Sequence, residues 1–306
     1  MIRTVDTRNM THEQWLQERR KAIGGSDAAA IVGLNAYSSP FTVWLDKLGR
    51  LPPKEENEAM RIGHDLEEYV AQRFTEATGK KVRRRNAIIY NDDYPFAHAN
   101  IDRAVVGEDA ILECKTTSIL NIKKFKGGEY PANYYVQVMH YMAVTGAQKA
   151  YIAALVLGEG FYWYEVQRNE EEIAALMEAE RELWEHIVQQ TEPPVLGKAC
   201  DSDALKGLYP DSNGETVDLF GRAKQMEQYL AIKAEIKTLE AQADEIANAI
   251  KQELGENERG TDGDYTATWK TQTRNTFDKK ALAKAHPEIN LDEFTKTTTC
   301  RVFAVK

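Results

Sequence analysis

The sequence predicts an α/β protein with a C-terminal extension, and three observations carry that reading. Helical patterns, each closed by a glycine, fill most of the first eighty residues. Two pairs of apolar extended runs follow, with another helical pattern between them. Beyond residue 215 the pattern changes to one long heptad-spaced helix and a small α/β unit. The expected division is a core over 1–192, a linker over 193–214 and an extension over 215–306 with its long helix at 222–254.

Thr11 is placed as the N-cap of a helix running to Lys21, with Trp15 and Leu16 on its apolar side. Gly24-Gly25 breaks it, and Ser26-Asp27 is expected to cap a short apolar helix ended by Gly33. Pro40–Leu48 reads as helix, stopped by Gly49, and residues 52–58 as a polar connection. Ala59–Thr78 is a strong amphipathic pattern with Ile62, Leu66, Tyr69, Val70, Phe74 and Ala77 on one stripe, closed by Gly79.

Ala87–Tyr90 is a short extended run. Phe96–Val106 and Ala110–Thr117 flank Gly107-Glu108-Asp109 and read as a hairpin. Ala132–Val144 is helical up to Gly146; Ala150–Leu157 and Phe161–Gln167 form a second extended pair; Glu170–Gln190 is an acidic helix. After the irregular segment 193–214, Tyr229, Ile232, Ile236, Leu239, Ala243, Ile246 and Ile250 alternate spacings of 3 and 4, a heptad seam. Its expected use is packing back on the extension's own strands, which are placed at Tyr265–Phe277 and Phe294–Val305 around a short helix capped by Asp278. Gly255–Gly263 reads as a polar loop.

With 28% charged residues, a mean hydropathy of −0.54 and no long apolar run, the chain has the composition of a protein that needs no membrane. Its polar start lacks the apolar core of a signal peptide. Cys114, Cys200 and Cys300 lie too far apart for a disulfide framework or a closed zinc or iron–sulfur site, so a reducing, cytoplasmic setting is expected. The net charge of −9 argues against a nucleic-acid partner until its distribution is read. Residues 1–150 carry 21 Lys and Arg against 19 Asp and Glu, whereas 151–220 carry 4 against 15. Basic clusters at Arg19-Arg20-Lys21, Arg83-Arg84-Arg85 and Lys123-Lys124-Phe125-Lys126 can therefore offer a local phosphate-binding surface. A solvated charged face is the plainer use of any one of them.

The hairpin holds the most informative residues. A symmetric turn at Gly107-Glu108 pairs Ala104 with Ile111 and sets Asp102 opposite Glu113; Lys115 then shares their face, while Leu112 and Cys114 turn into the core. Opposed carboxylates repel. A hard divalent cation between them removes the conflict, and Mg²⁺ uses oxygen ligands with few protein carboxylates. Lys115 beside it can orient or deprotonate a water or neutralise a phosphate, an arrangement suited to metal-assisted phosphodiester hydrolysis. The competing reading, an exposed hairpin with a Glu–Lys pair, is disfavoured by the apolar Ile111-Leu112 before the acid.

A third acid is sought on the 59–78 helix, where Glu67 lies at the edge of the apolar stripe and Glu68 on the wet face. Gln137 and Tyr141, four apart, share a helix face and can hold a phosphate or a water, or simply pack together. Ser26 at a helix start is either a phosphate contact or a plain cap.

Taken in order, Ile23-Gly24-Gly25-Ser26-Asp27, Gly63-His64-Asp65-Leu66-Glu67-Glu68, Ala99-Asn100-Ile101-Asp102-Arg103, Ile111-Leu112-Glu113-Cys114-Lys115 and Gln137-Val138-Met139-His140-Tyr141 resemble the YqaJ-type viral recombinases. These are relatives of lambda exonuclease in the PD-(D/E)XK nuclease superfamily. The resemblance spans about residues 10–190; no single motif is specific, but the five in sequence are. It implies a central mixed β-sheet flanked by helices and Mg²⁺-dependent (or Mn²⁺-dependent) 5′-to-3′ digestion of linear double-stranded DNA in phage or prophage recombination. The 3′ single-stranded overhangs would pass to a single-strand annealing protein, and close relatives form trimeric rings.

Carried over, the resemblance makes Asp102, Glu113, Glu67 and the Cys114 backbone carbonyl metal ligands, Lys115 the catalytic lysine and Gln137 the family glutamine. It makes Ser26 and Tyr141 DNA contacts, with Arg19 or Arg20 on a 5′-phosphate. Many relatives have proline after the helix glutamate, where this chain has Glu68. The alternatives kept open are a structure- or sequence-specific endonuclease of the same superfamily and a non-catalytic DNA-binding recombination scaffold.

Overall fold

The computed structural model describes residues 1–52 and 57–305; most of the connection expected at 52–58 therefore lies outside the described residues. The chain divides into two units, Met1–Tyr209 and Pro210–Lys306.

The first unit runs β1 (Ile2–Asp6), α1 (His12–Arg20), β2 (Ile23–Gly24), α2 (Gly25–Ile31), α3 (Pro40–Lys47), α4 (Glu58–Thr78), β3 (Val82–Arg84), β4 (Ala87–Asn91), β5 (Ala97–Ala99), β6 (Arg103–Val105), β7 (Ala110–Ser118), α5 (Ala132–Thr145), β8 (Lys149–Leu157), β9 (Gly160–Gln167), α6 (Glu170–Gln189) and α7 (Ala199–Leu208). Tight 3-10 turns over Ile119–Gly128 join β7 to α5. The helix starts follow their caps: Thr11 and Gln14 close a reciprocal capping box on α1, and Ser39 with Pro40 opens α3. Gly79 and Gly146 end α4 and α5 in the left-handed conformation that glycine adopts without strain.

Two mixed sheets form. One has the order β1-β4-β5-β2 and the other β3-β6-β7-β8-β9, with β7 and β8 parallel across the α5 crossover. Side chains on opposite faces of the second sheet meet different helices. Leu112, Tyr151 and Ala153 pack on Val70, Ala71 and Phe74 of α4. Ile111, Ala150 and Ile152 pack on Val138, Met139 and Met142 of α5, with Ile173 and Met177 of α6 beyond. Among the described residues no helix is long and apolar enough to cross a membrane.

In the first unit three expectations change. The run 96–106 is not one strand. It leaves the first sheet after Ala99 and enters the second at Arg103, with Asp102 in the bend between them. The segment 193–214 is not a plain linker, because α7 packs into the first unit: Ala204 joins the cluster of Phe41, Trp44 and Leu183, and buried Asp201 accepts from the Ser39 hydroxyl. Ser26 does not cap α2. The cap is Gly24, whose N–H donates to the Asp27 carboxylate at 3.0 Å, so the Ser26 hydroxyl is left for another partner.

The second unit holds α8 (Ala223–Leu254), the hairpin of β10 (Arg259–Asp262) and β11 (Tyr265–Thr268), and α9 (Lys279–Ala285) capped by Asp278. The expected loop at 255–263 therefore contains a strand. Extended structure at 265–277 stops at Thr268, and no strand is assigned at 294–305. With one short hairpin at the Leu254 end, the seam of α8 is not covered by its own strands: Ile232, Ile236, Leu239, Ile246 and Ile250 are all exposed.

Candidate active site

The hairpin register is the one expected, with Ala104 opposite Ile111 and Arg103 opposite Leu112. The ladder ends there, and the next position carries Asp102. Instead of continuing the strand, Asp102 turns its carboxylate onto the freed backbone of β7, where the Cys114 N–H donates to Oδ2 at 2.7 Å. The N–H and C=O of one extended residue project to the same strand edge. The Cys114 carbonyl is thus on the Asp102 side, past the last ladder pair.

Glu113 is buried. Its Oε1 accepts from Lys115 Nζ at 2.7 Å and from Gln137 Nε2 at 2.7 Å, while its Oε2 is buried with no hydrogen-bond partner. Gln137 also accepts from Lys115 Nζ at 2.9 Å and donates to the Tyr141 hydroxyl at 2.9 Å. These donations fix which end of the amide is oxygen. Lys115 lies over the Tyr134 ring, 5.1 Å from its centroid. β7 and the α5 face carrying 134, 137 and 141 thereby build one polar cluster.

Electrostatics mark the cluster as incomplete. Burial, then the charges of Glu113 and Glu67, push the Asp102 carboxyl well above the usual carboxylate range. Burial opposes the charge of Lys115, but Glu113 and Asp102 outweigh it and hold its pKa above the ordinary lysine value. Lys115 is therefore an ammonium that steadies charge. Two like charges in a dry site and an orphaned acceptor oxygen fit a hard cation held by Asp102, Glu113 and the Cys114 carbonyl.

Glu67 acts on this cluster through its charge on Asp102 but makes its hydrogen bond elsewhere. It projects from α4, which packs on the opposite sheet face, and pairs with Arg103 at 2.5 Å. Among the described residues no three His, Cys, Asp or Glu side chains are arranged to hold a metal ion. The helical phase is nevertheless the expected one: the Glu67 side chain is 24% exposed and Glu68, also on Arg103, 68%. Arg103 carries no signal of its own in the sequence. Its guanidinium donates to the Asp102 carbonyl at 2.7 Å, so the α4 glutamates position Asp102 through it.

Arg19 and Ser26 come together, Nη2 donating to the hydroxyl at 2.8 Å, with the guanidinium over the Trp15 ring. Arg20 turns instead to Asp46, 3.6 Å away. The α2 segment sits hard against Tyr141: a Cβ at Gly25 would lie 2.4 Å from the ring. The Arg19–Ser26 pair therefore borders the Gln137–Tyr141 face. Buried Lys47, unremarked in the sequence, ties this edge down by pairing with Asp27 at 2.6 Å and donating to the Arg19 carbonyl at 3.0 Å.

This fold recurs in a solved structure. The alkaline exonuclease LHK-Exo of Laribacter hongkongensis superposes with a TM-score of 0.50 at 21% identity, covering 58% of this chain and 94% of that one. The class is that of the PD-(D/E)XK nuclease fold, an α/β core with helices on both faces of a mixed sheet. Residues 14–148 match the YqaJ-like viral recombinase domain. The uncharacterized protein YqaJ of Bacillus subtilis (strain 168) is 43% identical over 303 residues, 97% of this chain and 95% of its own. The chain belongs to the YqaJ-like viral recombinase family.

Proposed function

We propose that this protein is a metal-dependent DNA exonuclease acting on linear double-stranded DNA in phage-type recombination. The observation that carries the reading is the convergence of Asp102 and Glu113 beside the Lys115 ammonium, with a buried Glu113 oxygen left without a partner. Family membership and the exonuclease name of the structural neighbour support it.

Asp102, Glu113 and the Cys114 carbonyl would hold Mg²⁺ or Mn²⁺. When bound, such an ion supplies Lewis-acid polarisation of a phosphate oxygen and a water of lowered pKa. The remaining work falls to the chain itself. Lys115 offsets the charge that develops on the scissile phosphate and orients the attacking water, because its Nζ already sits among the oxygens of Glu113 and Gln137. Gln137 holds both partners in one geometry. Arg19 and Ser26 present a guanidinium and a hydroxyl to a terminal phosphate at the edge of the site. The polarity proposed is 5′-to-3′, leaving 3′ overhangs for a single-strand annealing partner, with a trimeric ring as the assembly.

The test uses linear duplex labelled 5′ on one strand and 3′ on the other, beside covalently closed circular DNA, with Mg²⁺ or with EDTA. The expected outcome is early release of the 5′ label from linear DNA in Mg²⁺ alone, with the circle intact. Cutting of the circle makes the protein an endonuclease, and binding without cleavage in either Mg²⁺ or Mn²⁺ makes it a scaffold.

A further inference from the structure

The long helix α8 carries an exposed apolar seam. Along its 32 residues, Ile232 is 47% exposed and Ile246 64%, although both sit on the heptad stripe. At the Tyr229 end the stripe meets the Phe303 ring at 5.6 Å. A helix in water draws most of its stability from packing an apolar face, so an uncovered three-heptad stripe implies an occupant.

The flanking charges say which occupant. With Tyr229, Ile236, Ala243 and Ile250 at a and Ile232, Leu239 and Ile246 at d, the e positions are Lys233, Glu240 and Ala247, and the g positions Gln228, Glu235, Gln242 and Ala249. Parallel in-register pairing would set Glu235 against the partner's Glu240, a like-charge contact, and Ala243 against the partner's Ala243, leaving a gap in the core. Antiparallel pairing centred between Ile236 and Leu239 removes both faults. Ile236 meets the partner's Leu239, Ile232 meets the partner's Ala243, and Tyr229 meets the partner's Ile246, large against small or medium in each layer. In an antiparallel pair e faces e, so Lys233 meets the partner's Glu240, and two-fold symmetry makes this ion pair twice. Glu235 faces the uncharged Gln242 of the partner subunit.

We infer that α8 is a self-association helix that pairs antiparallel with α8 of a second copy of this chain. The inference is independent of the nuclease reading, since none of its residues belongs to the first unit; added to the proposed trimeric ring, a two-fold α8 contact would link ring to ring, and its loss would lower the mass to that of a single ring.

The test uses full-length protein in which Cys300 is replaced by serine. Antiparallel pairing sets Ile250 opposite the partner's Gln225 and separates the two copies of Ile250 by roughly 25 helical residues, about 37 Å. Mixed Ile250→Cys and Gln225→Cys proteins should therefore form a disulfide-linked heterodimer on mild oxidation, and neither should cross-link alone. Lys233→Glu should weaken self-association at least about tenfold by light scattering. Lys233→Glu combined with Glu240→Lys should restore it. Cross-linking of Ile250→Cys by itself overturns the antiparallel arrangement. Absence of any cross-link, with a mass that Lys233→Glu leaves unchanged, overturns the second copy as the occupant. DNA degradation by the same samples reports on the first unit separately.

Discussion

Two buried acid–base clusters lie one turn apart on α5, and their completeness differs. His140 Nδ1 meets Glu180 of α6 at 2.8 Å while its Nε2 meets the His98 carbonyl at 2.8 Å; both side chains are fully buried and every ring nitrogen and carboxylate oxygen has a partner. One turn earlier, Gln137 anchors a cluster with two acids near one ammonium, an orphaned oxygen on Glu113, and Asp102 pushed toward its neutral form by burial and its neighbours. A matched pair closes on itself and locks a helix. An unmatched set of acids keeps capacity for something that arrives later. The first is architecture and the second is chemistry, although both look alike in composition.

That contrast can be broken by substitution. Asp102→Asn should reduce DNA degradation by about a thousandfold. It should leave the melting temperature unchanged or higher, because it removes a repelling charge and keeps an acceptor for the Cys114 N–H. Wild-type digestion rates in this variant would remove Asp102 from the site. Glu180→Leu should act the other way round. Leaving His140 unpaired should cost about 3 kcal/mol of stability, seen as a lower denaturation midpoint, with the rate per folded molecule within about threefold of the parent. Gln137→Leu strips one partner each from Lys115 and Glu113 and should slow cleavage about 10- to 100-fold, read as kcat at saturating DNA.

The smallest effect concerns His98, which burial, with Lys47 beside it, pushes down to about 3; Asp27 opposes, and His140 and Arg19 are its other charged neighbours. Between that value and the ordinary 6.5, the unfolded chain carries a proton that the folded one does not. Stability is therefore lost as pH falls through this window, with a slope of at most about 1.4 kcal/mol per pH unit. His98→Gln should flatten the stability–pH curve there by up to that slope, as measured by denaturant titration at several pH values. An unchanged slope would show that His98 is protonated in the fold.

Much of the site could be read from the chain because it is local. A two-fold side-chain alternation and a glycine turn are enough to set Ala104 opposite Ile111 and to put Glu113 and Lys115 on one face. Helical phase separates Glu67 from Glu68. What the phase cannot reveal is the far partner, and Arg103 captured Glu67 because α4 packs on the other sheet face. The break in 96–106 was hidden for the same reason: its apolar pattern is continuous, but Ala99 pairs with Ile89 while Arg103 pairs with Leu112. β1 went unseen because its polar residues pair with β4 more than eighty positions away. Lys47 and Asp201 were illegible as buried ions, since Asp27 and Ser39 reach them only through tertiary packing.

Asp102 also has a consequence for the entropy of ligand capture. Its residue stands in neither sheet, yet both of its ends are held: the carbonyl by Arg103 and one carboxylate oxygen by the Cys114 N–H. The rotameric freedom of this side chain is spent during folding rather than at the moment of binding. Its second oxygen is thus presented at a fixed angle before any ion arrives, and an ion binding there would have to order one side chain fewer. A strand that simply continued through position 102 would have aimed the same carboxylate by its alternation alone, and left it free to swing.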